Sequence, residues 1–351
     1  MAQRVMAELY LWGGAQVNPA SVTTTYQAHK ANHCLMIHVT TLRELTLKAP
    51  ASPGRPLHLT AASGLVFAGD FLYVVADDEH HLGVFRASGD AAGELLALFA
   101  GELPATWAER KARKPDLEVL TRLPPFPGHP GGALLALPSG STRNRRNGAW
   151  LSLDAHGAVI DTPHQIDCSG LCETLEQLVP ALNIEGAVVV DERLRLLHRG
   201  SKDHPRSAII DVPLPDVLHA LGTSGFIVTA KLLGTRFVDL GTIAGIPLGF
   251  TDGAALPDST VVFAAVAEDS ENTYQDGPCV GAAVGVLDRD GRVRFLQPLD
   301  ATHKVEGISA QIEDDVIRLL LVTDADEENI AARLLTAAIH GYPIEASHQG
   351  P

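Results

Sequence analysis

Leu182-Asn-Ile-Glu-Gly-Ala-Val-Val-Val190 passes through the turn Asp191-Glu-Arg193 into Leu194-Arg-Leu-Leu-His-Arg-Gly200. An acid and a glycine open an apolar strand, a polar turn follows, and a second strand ends in polar residues. The phrase returns as Phe250-Thr-Asp-Gly-Ala-Ala-Leu256 and Val305-Glu-Gly-Ile-Ser309. Weaker copies are Asp116-Leu-Glu-Val-Leu120 and Ala62-Ser-Gly-Leu-Val-Phe67. The marker positions Ser63, Glu118, Glu185, Asp252 and Glu306 stand 54 to 67 residues apart. Five copies of one unit define a repeat protein.

Each unit continues as short strands joined by tight turns. After Ser63-Gly64, strands at 65–67 and 71–75 flank Ala68-Gly-Asp70, and strands at 82–85 and 95–99 flank Ser88-Gly-Asp90. Four antiparallel strands of this kind make one propeller blade. The reading is an all-β chain, a single β-propeller of five four-stranded blades near residues 63–105, 116–165, 183–240, 250–300 and 304–340. Six blades result if Pro213 to Leu240 hides a degenerate one. The last unit is one strand short, and an orphan alternating strand at Val39 to Leu47 precedes the first. That amino-terminal strand is expected to pair into the last blade, because an unclosed ring leaves a bare sheet edge. The propeller then spans 38–342, between an irregular extension at 1–37 and a tail at 343–351. Helical spacing at Leu171, Leu175, Leu178 and Val179 predicts one surface helix between the second and third units.

Composition limits the function classes. Gly 32 and Pro 22 among 351 residues suit many turns, and a net charge of −15 disfavours nucleic acid as a partner. No apolar run reaches membrane-spanning length and no secretory leader is visible, so the expectation is a cytoplasmic protein without a membrane partner. The ligand is a small molecule or another protein. Cys168 and Cys172 have no second pair for a zinc site. No P-loop, G-x-S-x-G or H-E-x-x-H pattern occurs, so no nucleotide or organic cofactor is indicated.

Strand alternation puts the loop entering each inner strand and the loop joining strands two and three on one face. Ser63, Glu118, Glu185, Asp252 and Glu306 should therefore ring one mouth of the channel. Around them come Asp77, Asp78 and Glu79; Ser139, Ser141, Arg143 and Asn144; His198, Arg199, Ser201 and Lys202; Glu268, Asp269, Asn272 and Tyr274; Asp324 and Asp326. The acids Glu118, Glu185, Asp252 and Glu306 either hold a hard cation, Ca²⁺ or Mg²⁺, or accept backbone N–H groups at the strand entrances. Arg143, Asn144, Arg199 and Lys202 form a basic sector that faces an anion or pairs with neighbouring acids.

Ser63-Gly-Leu-Val-Phe-Ala-Gly-Asp-Phe-Leu-Tyr-Val-Val-Ala-Asp-Asp-Glu79, the loop Ser139-Gly-Ser-Thr-Arg-Asn144 and the Ile-Glu-Gly and Val-Glu-Gly openings resemble bacterial phytase-like propellers, the group called "esterase-like activity of phytase". The resemblance implies an acidic mouth that holds calcium and a phosphorylated ligand. The expected function is a metal-assisted hydrolase of phosphoesters or related esters. The alternatives are a non-catalytic binding or scaffold propeller and a lactonase-type sugar-acid hydrolase.

Overall fold

A computed structural model describes residues 36–201, 204, 206–227, 231–269, 277–300 and 303–343. Strand β1 (Thr40–Glu44) comes first. Blade one is β2 (Ala62–Ala68), β3 (Phe71–Ala76), β4 (His81–Arg86) and β5 (Glu94–Ala97), followed by helix α1 (Trp107–Arg113). Blade two is β6 (Leu117–Leu123), β7 (Ala133–Pro138), β8 (Asn147–Ser152) and β9 (His164–Asp167), followed by α2 (Ser169–Glu176). Blade three is β10 (Ile184–Val190), β11 (Arg193–His198) and β12 (Ser207–Pro213), then α3 (Leu214–Thr223) and β13 (Gly234–Val238). Blade four adds a short β14 (Thr242–Ile243) to β15 (Ile246–Ala255), β16 (Val261–Glu268), β17 (Cys279–Leu287) and β18 (Val293–Pro298). Blade five is β19 (Val305–Glu313), β20 (Val316–Thr323), β21 (Arg333–Ile339) and β1.

The ring therefore has five blades, and the described residues between 213 and 240 hold helix α3 and the outer strand β13 instead of a sixth. Closure follows the expected route. Thr40 pairs with Thr336 and Glu44 with Arg333, which completes the last sheet. The same segment then bridges to blade one through Thr46 and His58 and through Leu47 and Gly93. Leu45 and Leu47 are buried in the core between blades five and one. Five such cores, one between each pair of neighbouring blades, hold the ring together. The alternating apolar residues of each blade supply both of its faces.

The predicted helix is α2, with Leu171, Cys172 and Leu175 buried. Cys168 and Cys172 are buried free thiols. Helix α1 carries no apolar period, and the sequence reading missed it. Among the described residues no helix is long and apolar enough to cross a membrane.

The repeated phrase has a structural cause. Every inner strand carries a one-residue β-bulge at its entrance, at Ser63, Glu118, Glu185, Thr251 and Glu306. A bulge re-aims one side chain out of the sheet pleat. The next position in each blade is Gly64, Val119, Gly186, Asp252 and Gly307. Here neighbouring inner strands approach so closely that a Cβ on Gly186 would sit 2.8 Å from Asp252 Cα, and one on Gly307 2.8 Å from the Ser63 carbonyl oxygen. Glycine lets the backbones meet, and this layer narrows the channel below the mouth.

Candidate functional site

The bulge register corrects the ring. The entrance residue of blade four is Thr251, while Asp252 lies one layer deeper, at a glycine position. Thr251 donates its hydroxyl to the Val305 carbonyl. Asp252, fully buried, accepts the N–H groups of Gly253 at 2.7 Å and Ile308 at 2.9 Å, and Leu65 offers a third. Burial pushes its carboxyl well above the usual range, against the pull of those amides. Its oxygens accept backbone N–H groups from blades one, four and five, so it staples three inner strands together.

Two more of the expected ring acids are neutralised internally. Glu185 accepts from Asn183 Nδ2 at 2.5 Å and faces the Arg199 guanidinium at 3.6 Å. Glu306 faces Lys304 at 3.4 Å and Arg199 at 3.9 Å. Burial pushes Glu185 up to about 8, with Arg199 opposing the rise and Glu306 adding to it. Ser63 is buried and turns its hydroxyl to the Ala61 carbonyl. His198 is buried against Asn183, and burial pulls its imidazole down to about 4.

The surrounding cations are clamps between blades. Arg199, leaving β11 of blade three, reaches Glu268 of blade four at 2.5 Å as well as Glu306 of blade five. Lys304 links Glu268 to Asp324 and Asp326. Arg55 bonds Asp78 at 2.7 Å, Glu79 at 2.6 Å and Glu328 at 2.7 Å, joining blades one and five. Each buried guanidinium or ammonium meets several carboxylates, which is the condition under which a buried charge is tolerated.

The basic sector is not assembled as the sequence led us to expect. Arg143 and Asn144 are exposed, while the next two arginines turn inward, Arg145 to Asp116 at 2.8 Å and Arg146 to Glu176 on α2. Arg199 is committed to three acids. Lys202, Asn272 and Tyr274 lie outside the described residues.

What remains is a trio the sequence reading did not assemble: Asp77 after β3, with Asp116 and Glu118 at the start of β6. Their carboxyl oxygens lie within 4.8 Å of one another. Lys114, which ends α1, pairs with Asp77 and lies 2.9 Å from Asp116. Asp116 also receives the Ser139 hydroxyl and Arg145. It adopts φ 61°, the left-handed region in which aspartate and asparagine are enriched after glycine. Glu118, partly buried, is different. Among the described residues it makes no hydrogen bond or ion pair. Burial, with the charges of Glu185, Asp116 and Asp77, holds it well above the usual carboxylate range. Asp77 is lifted by burial to about 6, against Lys114, and its Oδ1 has no hydrogen-bond partner.

Among the described residues the four acids do not gather as one group: Asp252 and Glu185 are hydrogen-bonded within the protein, and Glu306 faces Lys304 and Arg199 while its buried Oε2 has no hydrogen-bond partner. The trio has suitable oxygens, with the Lys114 ammonium now among them. A signal for this lay in the sequence: Lys114-Pro-Asp116 places charges directly before the buried Leu117, as Lys304 does before Val305.

The chain belongs to a family of unknown function, DUF6929, whose model matches residues 58–339. No curated protein matches it. Among solved structures it is similar to a luciferin-regenerating enzyme, at 10% identity over 81% of this chain and 79% of that one, TM-score 0.39. It is also similar to a GDP-Man-dependent mannosyltransferase from Leishmania mexicana, at 12% identity over 91% and 93%, TM-score 0.42. A mannose phosphorylase from the same organism, in complex with phosphate, aligns at 12% identity over 86% and 88%, TM-score 0.40.

Proposed function

We propose that the mouth performs acid–base hydrolysis of a small uncharged or cationic ester, lactones included, with Glu118 as proton donor. The observation that carries this reading is the trio: a carboxyl without a partner beside one that is saturated with donors. Asp116 accepts from Ser139 and Arg145 and pairs with Lys114. Its charge, together with burial, favours the neutral form of Glu118. Neighbouring carboxyls in different environments divide their roles, and with Asp116 held by its donors the base is Asp77, whose Oδ1 has no hydrogen-bond partner. Asp77 Oδ1 takes a proton from the attacking water, whose oxygen bonds to the acyl carbon. The bond to the leaving oxygen breaks, and that oxygen receives the Glu118 proton. Lys114 orients Asp77 throughout. An uncharged or cationic substrate fits better than a phosphoester, because the buried cations Arg55, Arg110, Lys114, Arg145, Arg199 and Lys304 are each engaged with carboxylates.

The 4.8 Å spacing also favours a second reading, in which Asp77, Asp116 and Glu118 hold Ca²⁺ or Mg²⁺ once Lys114 moves aside. Such an ion would polarise the scissile carbonyl. A panel of nitrophenyl esters and lactones, assayed in EDTA and in calcium, tests both. Turnover that survives EDTA and is lost in Glu118→Gln supports the acid–base reading. Turnover abolished by EDTA transfers the site to the metal. No turnover on any member leaves a binding propeller.

A further inference from the structure

Beside the trio, and sharing Asp77 with it, a cleft of about 260 Å³ opens between blades five and one. Two acidic loops and a helix wall it. Asp77 and Asp78 come from the β3–β4 loop, and Asp324, Asp326, Glu327 and Glu328 from the β20–β21 loop. Trp107 on α1, 44% exposed, completes the lining, with the Lys111 ammonium 5.2 Å and the Arg110 guanidinium 5.7 Å from its ring centroid.

These walls already hold organic cations of the protein's own. The Arg110 guanidinium, 1% exposed, lies 2.9 Å from Glu328 and 3.3 Å from Asp78. The Lys114 ammonium bridges Asp77 and Asp116. Acid capacity is left over. Glu327 is exposed and makes no ion pair among the described residues, and the buried Oδ1 of Asp77 has no hydrogen-bond partner.

We propose that this cleft binds a small organic cation, an alkylammonium or alkylguanidinium. Carboxylates would take the charged head in charge-assisted hydrogen bonds, as they take Lys114 and Arg110. The Trp107 ring, which already meets the Arg110 and Lys111 cations, would cover the methylenes with its exposed part. A bare metal ion has no use for the indole, and an anion would meet six carboxyl groups. The inference rests on the acid–base reading in one respect: it makes the cation an arm of the substrate whose ester reaches Asp77 and Glu118.

Calorimetry on the whole protein at low salt, with agmatine and putrescine as probes, tests it. Saturable binding is expected, weakened by about fivefold or more in Trp107→Ala and in Glu327→Gln. Both side chains are exposed, and unchanged melting temperatures will confirm that the variants fold. Absence of saturable heat at millimolar amine, or binding that both variants leave unchanged, overturns the proposal. Amine binding without turnover of any ester instead removes the acid–base reading and leaves the cation site standing.

Discussion

The backbone N–H of Ile308 on the fifth blade donates to Asp252 Oδ2 on the fourth at 2.9 Å. With Gly253 and Leu65 on the same carboxylate, one side chain ties three inner strands at the narrowest layer of the ring. Asp252→Ala leaves those donors without an acceptor in a dry core, where each costs about 1–3 kcal/mol. A loss of roughly 3 kcal/mol or more is expected in urea denaturation. Gly186→Ala attacks the same layer from the other side, driving a Cβ to 2.8 Å from Asp252 Cα, and should lose about 1–3 kcal/mol.

Glu118→Gln should behave oppositely. Its carboxyl has no partner to lose among the described residues, so the melting temperature should hold or rise. The rate on any ester substrate should fall by about 10²–10⁴ if it is the proton donor. Equal losses of stability and rate would make Glu118 a structural residue.

The pH dependence of stability follows from Glu185. Its folded carboxyl, pushed up to about 8, lies above the unfolded value near 4.5, so the folded state binds the extra proton. That contribution is complete below about 4.5 and is lost as pH rises through about 8. Urea midpoints should therefore decline from pH 6 to pH 9. Glu185→Gln should flatten this part of the profile, and an unchanged slope would place the titration elsewhere.

Closure by β1 makes a separate prediction. A chain beginning at Lys48 loses the outer strand of blade five together with Leu45 and Leu47 from the blade five–one core. Two buried leucines are worth about 3–6 kcal/mol. The shortened chain should unfold at much lower urea, and a peptide of residues 36–48 added in trans should restore part of the loss. An unaltered midpoint would show that the ring is held without it.

Much of the architecture was legible because it rests on period. Alternating apolar residues, turn glycines and five recurrences of one phrase give strands and blades locally, and a missing last strand matched by an orphan first strand gives the closure. The site was less legible. Glu118 and Glu185 occupy the entrance bulges of their strands, yet Asp252-Gly253 imitates the acid–glycine phrase one residue out of register. Only the pairing of Phe250 with Ala265 and Asp252 with Ala264 places Thr251 on the bulge. Arg143 and Arg145 likewise look interchangeable in a loop, although one is exposed and the other buried on Asp116.

By itself, then, the chain determined a five-fold all-β repeat, its closure and the face on which its acids gather, since these follow from local pattern and strand alternation. Tertiary structure alone decided which acids are spent on clamps and amides and which stay free. Ion pairs such as Arg199–Glu268 and Arg55–Glu328 join residues 69 and 273 positions apart. A charge's partner is set by distance in space, and no spacing along the chain encodes it.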